Sequence, residues 1–199
     1  MKLFLIALIL CTAASFASAD TPEPVVRVRG TVQSATTTTL TVRDRGGEVV
    51  VLGLPDKLVV QEVYPIALTD IQAGSFIGTA AMPQPDGSQR AIAVMVFPES
   101  ARGTGEGSRP FDLQPDSTMT NATVADLVEA STGRTLRLKY KDGEKTVVVP
   151  TGVPVVTFRP GDRDLLVPGA SVSMAAQVLN GTPMAQRINA GRNGFVLPY

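Results

Sequence analysis

The chain has 199 residues, with 18 basic and 18 acidic side chains, no histidine and no tryptophan. Charge balance of this kind excludes the broad electrostatic footprint that nucleic acid or an anionic membrane surface requires. Without imidazole there is no Ser-His-Asp triad, no usual general base near neutral pH, and none of the commonest metal ligand.

Residues 1–19 carry the three-part layout of a secretory signal peptide: Lys2, an apolar run from Leu3 to Leu10, and small residues closing on Ala17-Ser18-Ala19. The run is shorter than the roughly 20 apolar residues that span a bilayer, and no later segment comes closer, so no transmembrane segment is expected in the mature chain. Cys11 follows Leu10, which is too large for the position before a lipidated cysteine. It is therefore expected to leave with the leader, and disulfides contribute nothing to a protein expected to be periplasmic or secreted.

From residue 20 to 98 the pattern is that of short strands. Val26, Val28, Gly30 and Val32 alternate with Arg27, Arg29 and Thr31, the period-two mark of a half-buried strand. Leu40 and Val42 alternate with Thr41 and Arg43, a turn falls at Arg45-Gly46-Gly47, and Val49-Val50-Val51 completes a hairpin. Strands are expected from Ser75 to Ala81 and from Arg90 to Phe97, joined by a turn at Asp86-Gly87. Residues 99–119, rich in Gly, Pro, Ser and charge, read as a linker. Phe111 and Leu113 are an apolar pair inside it, placed to pin the segment to a barrel.

Residues 120–199 repeat the order. Ala122-Thr123-Val124 answers Gly30-Thr31-Val32, Leu136 to Lys141 answers the strand starting at Leu40, and Val147-Val148-Val149 answers Val49-Val50-Val51. The segment ending at Gly169 answers the one ending at Gly74. Ala175-Ala176 answers Ala80-Ala81, Asn180-Gly181 answers Asp86-Gly87, and Ala185 to Ile188 answers the last strand. A period of about 95 residues is too long for a solenoid unit and indicates a duplicated domain. The expected fold is all-β: two duplicated, small, OB-like five-stranded β-barrel domains in tandem, at 20–98 and 120–199. Barrels this small are marginal alone, so the two are expected to pack together.

Three stretches are similar to an exported bacterial family of unknown function with OB-like repeats: Gly74 to Gly87, Arg102 to Gly107, and Ser117 to Val124. Some members of that family carry the automatic name "metal ABC transporter permease". A permease needs several membrane-spanning helices, which this sequence lacks. The family pattern often places a histidine and a tryptophan after Gly-Thr-Gly-Glu-Gly, where this chain has Ser108 and Phe111.

Candidate chemistry is sparse. Ser171 and Ser173 follow Gly169 but fall in an expected strand without the second glycine of a nucleophile elbow. Gly103 to Gly107 lacks the strand-to-helix context of a phosphate-binding loop. Asp162 and Asp164 read as a solvated turn, and Glu99, Glu106, Asp112 and Asp116 as solvated linker carboxylates. Met82, Met95, Met119, Met174 and Met184 are scattered thioethers, a pattern of core filling. Basic residues alternate with aliphatics on related strands: Arg27, Arg29 and Arg43 in the first copy, Arg137, Lys139 and Lys141 in the second. Such positions serve solubility and edge protection, or form a face for a polyanion such as an acidic polysaccharide.

The resulting expectation is a non-enzymatic, exported binding or scaffolding protein of the cell envelope. Its partner is a protein or polysaccharide, not nucleic acid, and no cofactor is expected. The alternative is a periplasmic metal-handling accessory, suggested by the family name and the methionines.

Overall fold

A computed structural model describes residues 25–199; the expected leader at 1–19 lies outside the described residues. The described chain is all-β. Its strands are β1 (Val25–Ala35), β2 (Thr39–Asp44), β3 (Val49–Gly53), β4 (Val59–Pro65), β5 (Phe76–Pro83), β6 (Gln89–Val96) and β7 (Gly107–Pro110). After these come β8 (Thr118–Ala130), β9 (Gly133–Tyr140), β10 (Gly143–Pro150), β11 (Val155–Pro160), β12 (Ser171–Leu179) and β13 (Thr182–Gly191). Single-turn helices punctuate them at Leu68–Asp70, Glu99–Ala101 and Arg163–Leu165.

Alternation places the core. Val28 and Val32 on β1 and Leu40 and Val42 on β2 are buried while their neighbours face outward. Leu136 and Leu138 do the same on β9. By contrast, β5 is buried from Phe76 through Ala81 on both faces, which explains its run of small and apolar residues.

The strands form two five-stranded rings. In the first, β1 pairs with β2, β2 with β3 and β1 with β12, and β12 pairs with β13. A parallel contact between Met184 and Gly53 closes it. In the second, β8, β9 and β10 pair in sequence and β5 pairs with both β8 and β6. The parallel pair β10–β6 closes that ring at Val147 and Val148. Between the rings, β4 and β11 pair antiparallel, β4 extending the first ring through β13 and β11 the second through β6.

The rings therefore do not follow the boundaries 20–98 and 120–199. Each takes three strands from one half of the chain and two from the other, and the hydrophobic cores mix in the same way. Val28, Leu40 and Leu52 pack with Val172, Ala185 and Ile188, whereas Ile77 and Val94 pack with Leu136, Leu138 and Val147. Alternation reveals which face of a strand is buried but not which partner covers it, and two similar halves offer interchangeable partners.

Two further details depart from the sequence reading. Val147 pairs with Leu136 as Leu52 pairs with Leu40, so Val147-Val148-Val149 takes the place of Leu52-Gly53-Leu54 rather than of Val49 to Val51. The β9–β10 hairpin is tighter, Tyr140 pairing with Gly143 where Arg43 pairs with Val49, and this shifts the alignment. Within residues 99–119, Gly107–Pro110 is not free linker but a short strand on β8, with Gly107 opposite Asn121 and Pro110 opposite Thr118. It has no alternating signal because a pre-existing edge holds it. As the apolar pair suggested, Phe111 and Leu113 pack on a third core between the rings, around Val63, Ala93, Val156, Phe158, Leu197 and Tyr199.

Candidate functional site: a cleft between the rings

The outward faces of the rings meet across the β4–β11 pair and enclose a cleft of about 1110 Å³. Register specifies both walls. On the first ring, Asn189, Ser173 and Arg29 form one row across β13, β12 and β1, and Arg187, Ala175 and Arg27 form the next. On the second ring, the matching rows across β6, β5 and β8 are Met95, Gly78 and Asn121, then Ala93, Ala80 and Met119. The two walls are thus built alike and furnished differently. One carries three arginines; the other carries thioethers, small residues and one carboxamide.

The lining contains Arg27, Arg29, Lys57, Arg109 and Arg187 and no aspartate or glutamate. A carboxylate reaches this group from the loop after β7. Asp112 Oδ1 lies 2.6 Å from Arg29 Nη2 and 3.3 Å from Arg27 Nη1, while the Phe111 ring sits 5.1 Å from the Arg29 guanidinium. The hydrogen bond from Arg29 outweighs partial desolvation and holds the Asp112 carboxyl down at about 2. Lys57 and Arg187 are in no ion pair among the described residues.

Three buried side-chain polar atoms lack a hydrogen-bond partner among the described residues: Arg29 Nε, Asn121 Oδ1 and Asn189 Oδ1. All three belong to residues of the cleft walls. Asn121 is only 5% exposed, and its Nδ2 donates to Thr104 O at 2.9 Å, which fixes the carboxamide and leaves Oδ1 unmatched. Glycine at 78 makes room for it, since a Cβ there would stand 2.8 Å from Asn121 Oδ1 and 3.1 Å from Phe97. Unmatched buried polar atoms are rare because each forfeits its hydration.

Of the six basic residues singled out in the sequence, only Arg27 and Arg29 line the cleft. Arg43 donates to Gly47 O at the β2–β3 turn, and Arg137 on β9 lies 3.8 Å from Asp126. Lys139 and Lys141 are exposed on the same hairpin and do not line the cleft. Lys57, Arg109 and Arg187 escaped the sequence reading. For Arg187 the obstacle is a bulge: Ala176 pairs with Ala185 but Ala175 pairs with Arg187, so the extra residue Gln186 turns Arg187 out of the ring although Ala185 points in.

The remaining sequence candidates are accounted for locally. Asp162 accepts from the Asp164 amide and caps the turn at Arg163–Leu165. Ser171 Oγ accepts from the Leu197 amide. The loop Gly103 to Gly107 supports Asn121 through Thr104 rather than presenting a row of donors, and Glu106 accepts from the Lys141 amide. Glu99 pairs with Arg102. Ser108, at the family's histidine place, meets the Thr120 hydroxyl at 3.0 Å. Met95 and Met119, distant in sequence, come to one cleft, whereas Met174 packs in the core of the first ring. Among the described residues, no group of three or more Cys, His, Asp or Glu is placed to hold a metal ion, and no helix is long and apolar enough to cross a membrane.

No known protein family matches the chain, and no curated protein or solved structure shows significant similarity to it.

Proposed function

We propose that the chain is a non-enzymatic, exported binding protein of the cell envelope that holds an anionic ligand in the cleft between two OB-like barrels that arose by duplication. The barrel reading is supported by the ring order, in which three sequential strands are closed by a hairpin whose last strand runs parallel to the third. A five-stranded Greek-key barrel of the OB type binds extended polymers on its strand faces. The observation that carries the ligand class is the lining itself: five cationic side chains, of which Asp112 pairs with Arg27 and Arg29 while Lys57 and Arg187 are in no ion pair among the described residues.

Titration of the chain with tripolyphosphate, an anion without hydroxyl groups, tests this reading. Binding weakened about tenfold in the Lys57→Ala/Arg187→Ala double variant, and weakened by salt, supports it. Binding unaffected by the double variant removes the cleft as the anion site.

A metal-handling accessory is the second reading, favoured by the thioethers of Met95 and Met119 on the same cleft, since soft ligands select copper(I). It ranks below the first because the surrounding arginines and lysine repel a cation. Copper(I) affinity tighter than weak micromolar, lost on Met95→Leu and Met119→Leu substitution, would reverse the order.

A further inference from the structure

We infer that Asp112 is a built-in competitor for the cleft: its carboxylate occupies the Arg27–Arg29 pair in the free chain, and the ligand is a polyanion that displaces it while also engaging Lys57 and Arg187. This rests on the anion-binding reading above and narrows the ligand to anions with two or more separated charges.

Asp112 stands where an anionic group of the ligand would stand. One of its oxygens lies 2.6 Å from Arg29 Nη2 and 3.3 Å from Arg27 Nη1, and the Phe111 ring covers both guanidinium groups at 5.1 and 5.9 Å. The pair is therefore closed to any other anion for as long as Asp112 stays. The carboxylate comes from the other ring: β7, just before it, is held on β8, whereas Arg27 and Arg29 belong to β1.

The contact is suited to exchange. The Asp112 side chain is 49% exposed, so water competes for it and the ion pairs contribute little net stability. The hydrogen bonds that shape its loop are internal, with the Phe111 amide donating to Ser117 O at 2.8 Å and the Gln114 amide to Ser117 Oγ at 3.1 Å. Asp112 leaves the arginines without breaking them. Arg29 is largely buried, so a second anion has to take the place of the one that leaves.

Competition sets what that anion must be. A carboxylate tethered this closely acts at an effective concentration on the order of millimolar, so a lone carboxylate in solution competes poorly. An anion that reaches further gains what Asp112 lacks. Lys57 and Arg187 line the same cleft and are in no ion pair among the described residues. Arg187, Ala175 and Arg27 share one row, which sets Arg187 two strands, about 10 Å, from Arg27. Lys57 lies two residues before Val59, the register partner of Arg187. One anionic group meets these charges while another replaces Asp112, and each attachment strengthens the other.

Titration of the wild-type chain, Asp112→Ala and Asp116→Asn with tripolyphosphate and with acetate tests this. Asp116 is on the same loop and in no ion pair among the described residues, so its variant removes a negative charge without freeing the arginines. Tripolyphosphate is expected to bind Asp112→Ala about tenfold more tightly than the wild-type chain, and Asp116→Asn within about twofold of it. Acetate at one concentration is expected to shift the Arg29 guanidinium resonances in Asp112→Ala and not in the wild-type chain. Should Asp112→Ala fail to fold, hydrogen exchange of the wild-type chain takes its place, with saturating tripolyphosphate lowering amide protection at 111–117. Equal affinity of the wild-type chain and Asp112→Ala, an equal gain in Asp116→Asn, or unchanged protection at 111–117 overturns the competitor and leaves the anion site standing. Absence of tripolyphosphate binding by both the wild-type chain and Asp112→Ala overturns the anion site as well.

Discussion

Val63 on β4 and Phe158 on β11 face each other as direct partners in the antiparallel pair that joins the rings, and they hold equivalent places in the two halves. The chain therefore carries a pseudo-twofold axis through this pair, and the cleft lies on it. Strands from the first half close the second ring and strands from the second half close the first. Each half alone would leave three strands without their closing hairpin and expose several edges. Fragments 25–98 and 99–199 expressed separately should be unfolded or aggregated by circular dichroism. Mixed from denaturant, they should recover a cooperative melt near that of the intact chain. Independent cooperative melting of either fragment opposes this.

Glu62 secures the same junction. Its side chain is 6% exposed and receives Arg159 at 2.9 Å and Arg192 at 3.1 Å, whose own side chains are about half exposed. The hydrogen bond from Arg192, then that from Arg159, holds the Glu62 carboxyl below its usual range. Removing Glu62 frees two arginines to hydrate, whereas removing both arginines strands a buried carboxylate. Arg159→Ala/Arg192→Ala should destabilise the chain more than Glu62→Ala does, because it leaves the carboxylate without partners, whereas screening limits what the half-exposed arginines lose. The pH dependence should invert as well. In the double variant desolvation raises the Glu62 pKa above its unfolded value, so that variant gains stability as pH falls from 7 to 5, and denaturant melts at the two pH values check it.

Asp112 predicts an acid-labile strap. Its folded pKa of about 2 lies below the usual 3.8, so its contribution is complete above the unfolded value and is lost as pH falls through about 2. Between pH 5 and 2 the loop at 111–117 should lose amide protection before either ring does. Asp112→Asn should show that loss already at pH 7, and hydrogen exchange measured by mass spectrometry reads both.

At position 78 a methyl group is enough to disturb the cleft. Gly78→Ala would set a Cβ against Asn121 Oδ1 and the Phe97 ring, at a cost of about 1–3 kcal/mol. Ala80→Gly, at the next outward position of β5, adds nothing to the cleft and should leave the Asn121 environment as it is. Thermal melts together with the Asn121 side-chain amide resonances distinguish the two.

Much of the local structure was legible in the sequence, and the assembly was not. Alternation at Val28–Val32 and Leu136–Leu138 marks strands because burial on one face repeats every second residue. Gly47 and Gly87 mark turns because those positions adopt a positive φ. Alternation is silent on which of two similarly patterned faces a strand will meet, so the pairing of β12 with β1 and of β5 with β8 left no trace. The cleft was half legible for the same reason. Arg27 and Arg29 sit in regular alternation, Arg187 is turned out by a bulge, and Lys57 and Arg109 lie in segments without a period. Asn121 reads as an ordinary strand residue until Gly78 is seen beside it.

Each ring, and hence the cleft between them, is built from both halves of the chain. Cross-strand nuclear Overhauser contacts in the isotopically labelled protein test it directly. The structure predicts contacts of Gly30 with Val172 and of Ala122 with Ile77. Contacts of Gly30 with Ile77 and of Ala122 with Val172 would mean that each half closes its own ring, and would contradict the account.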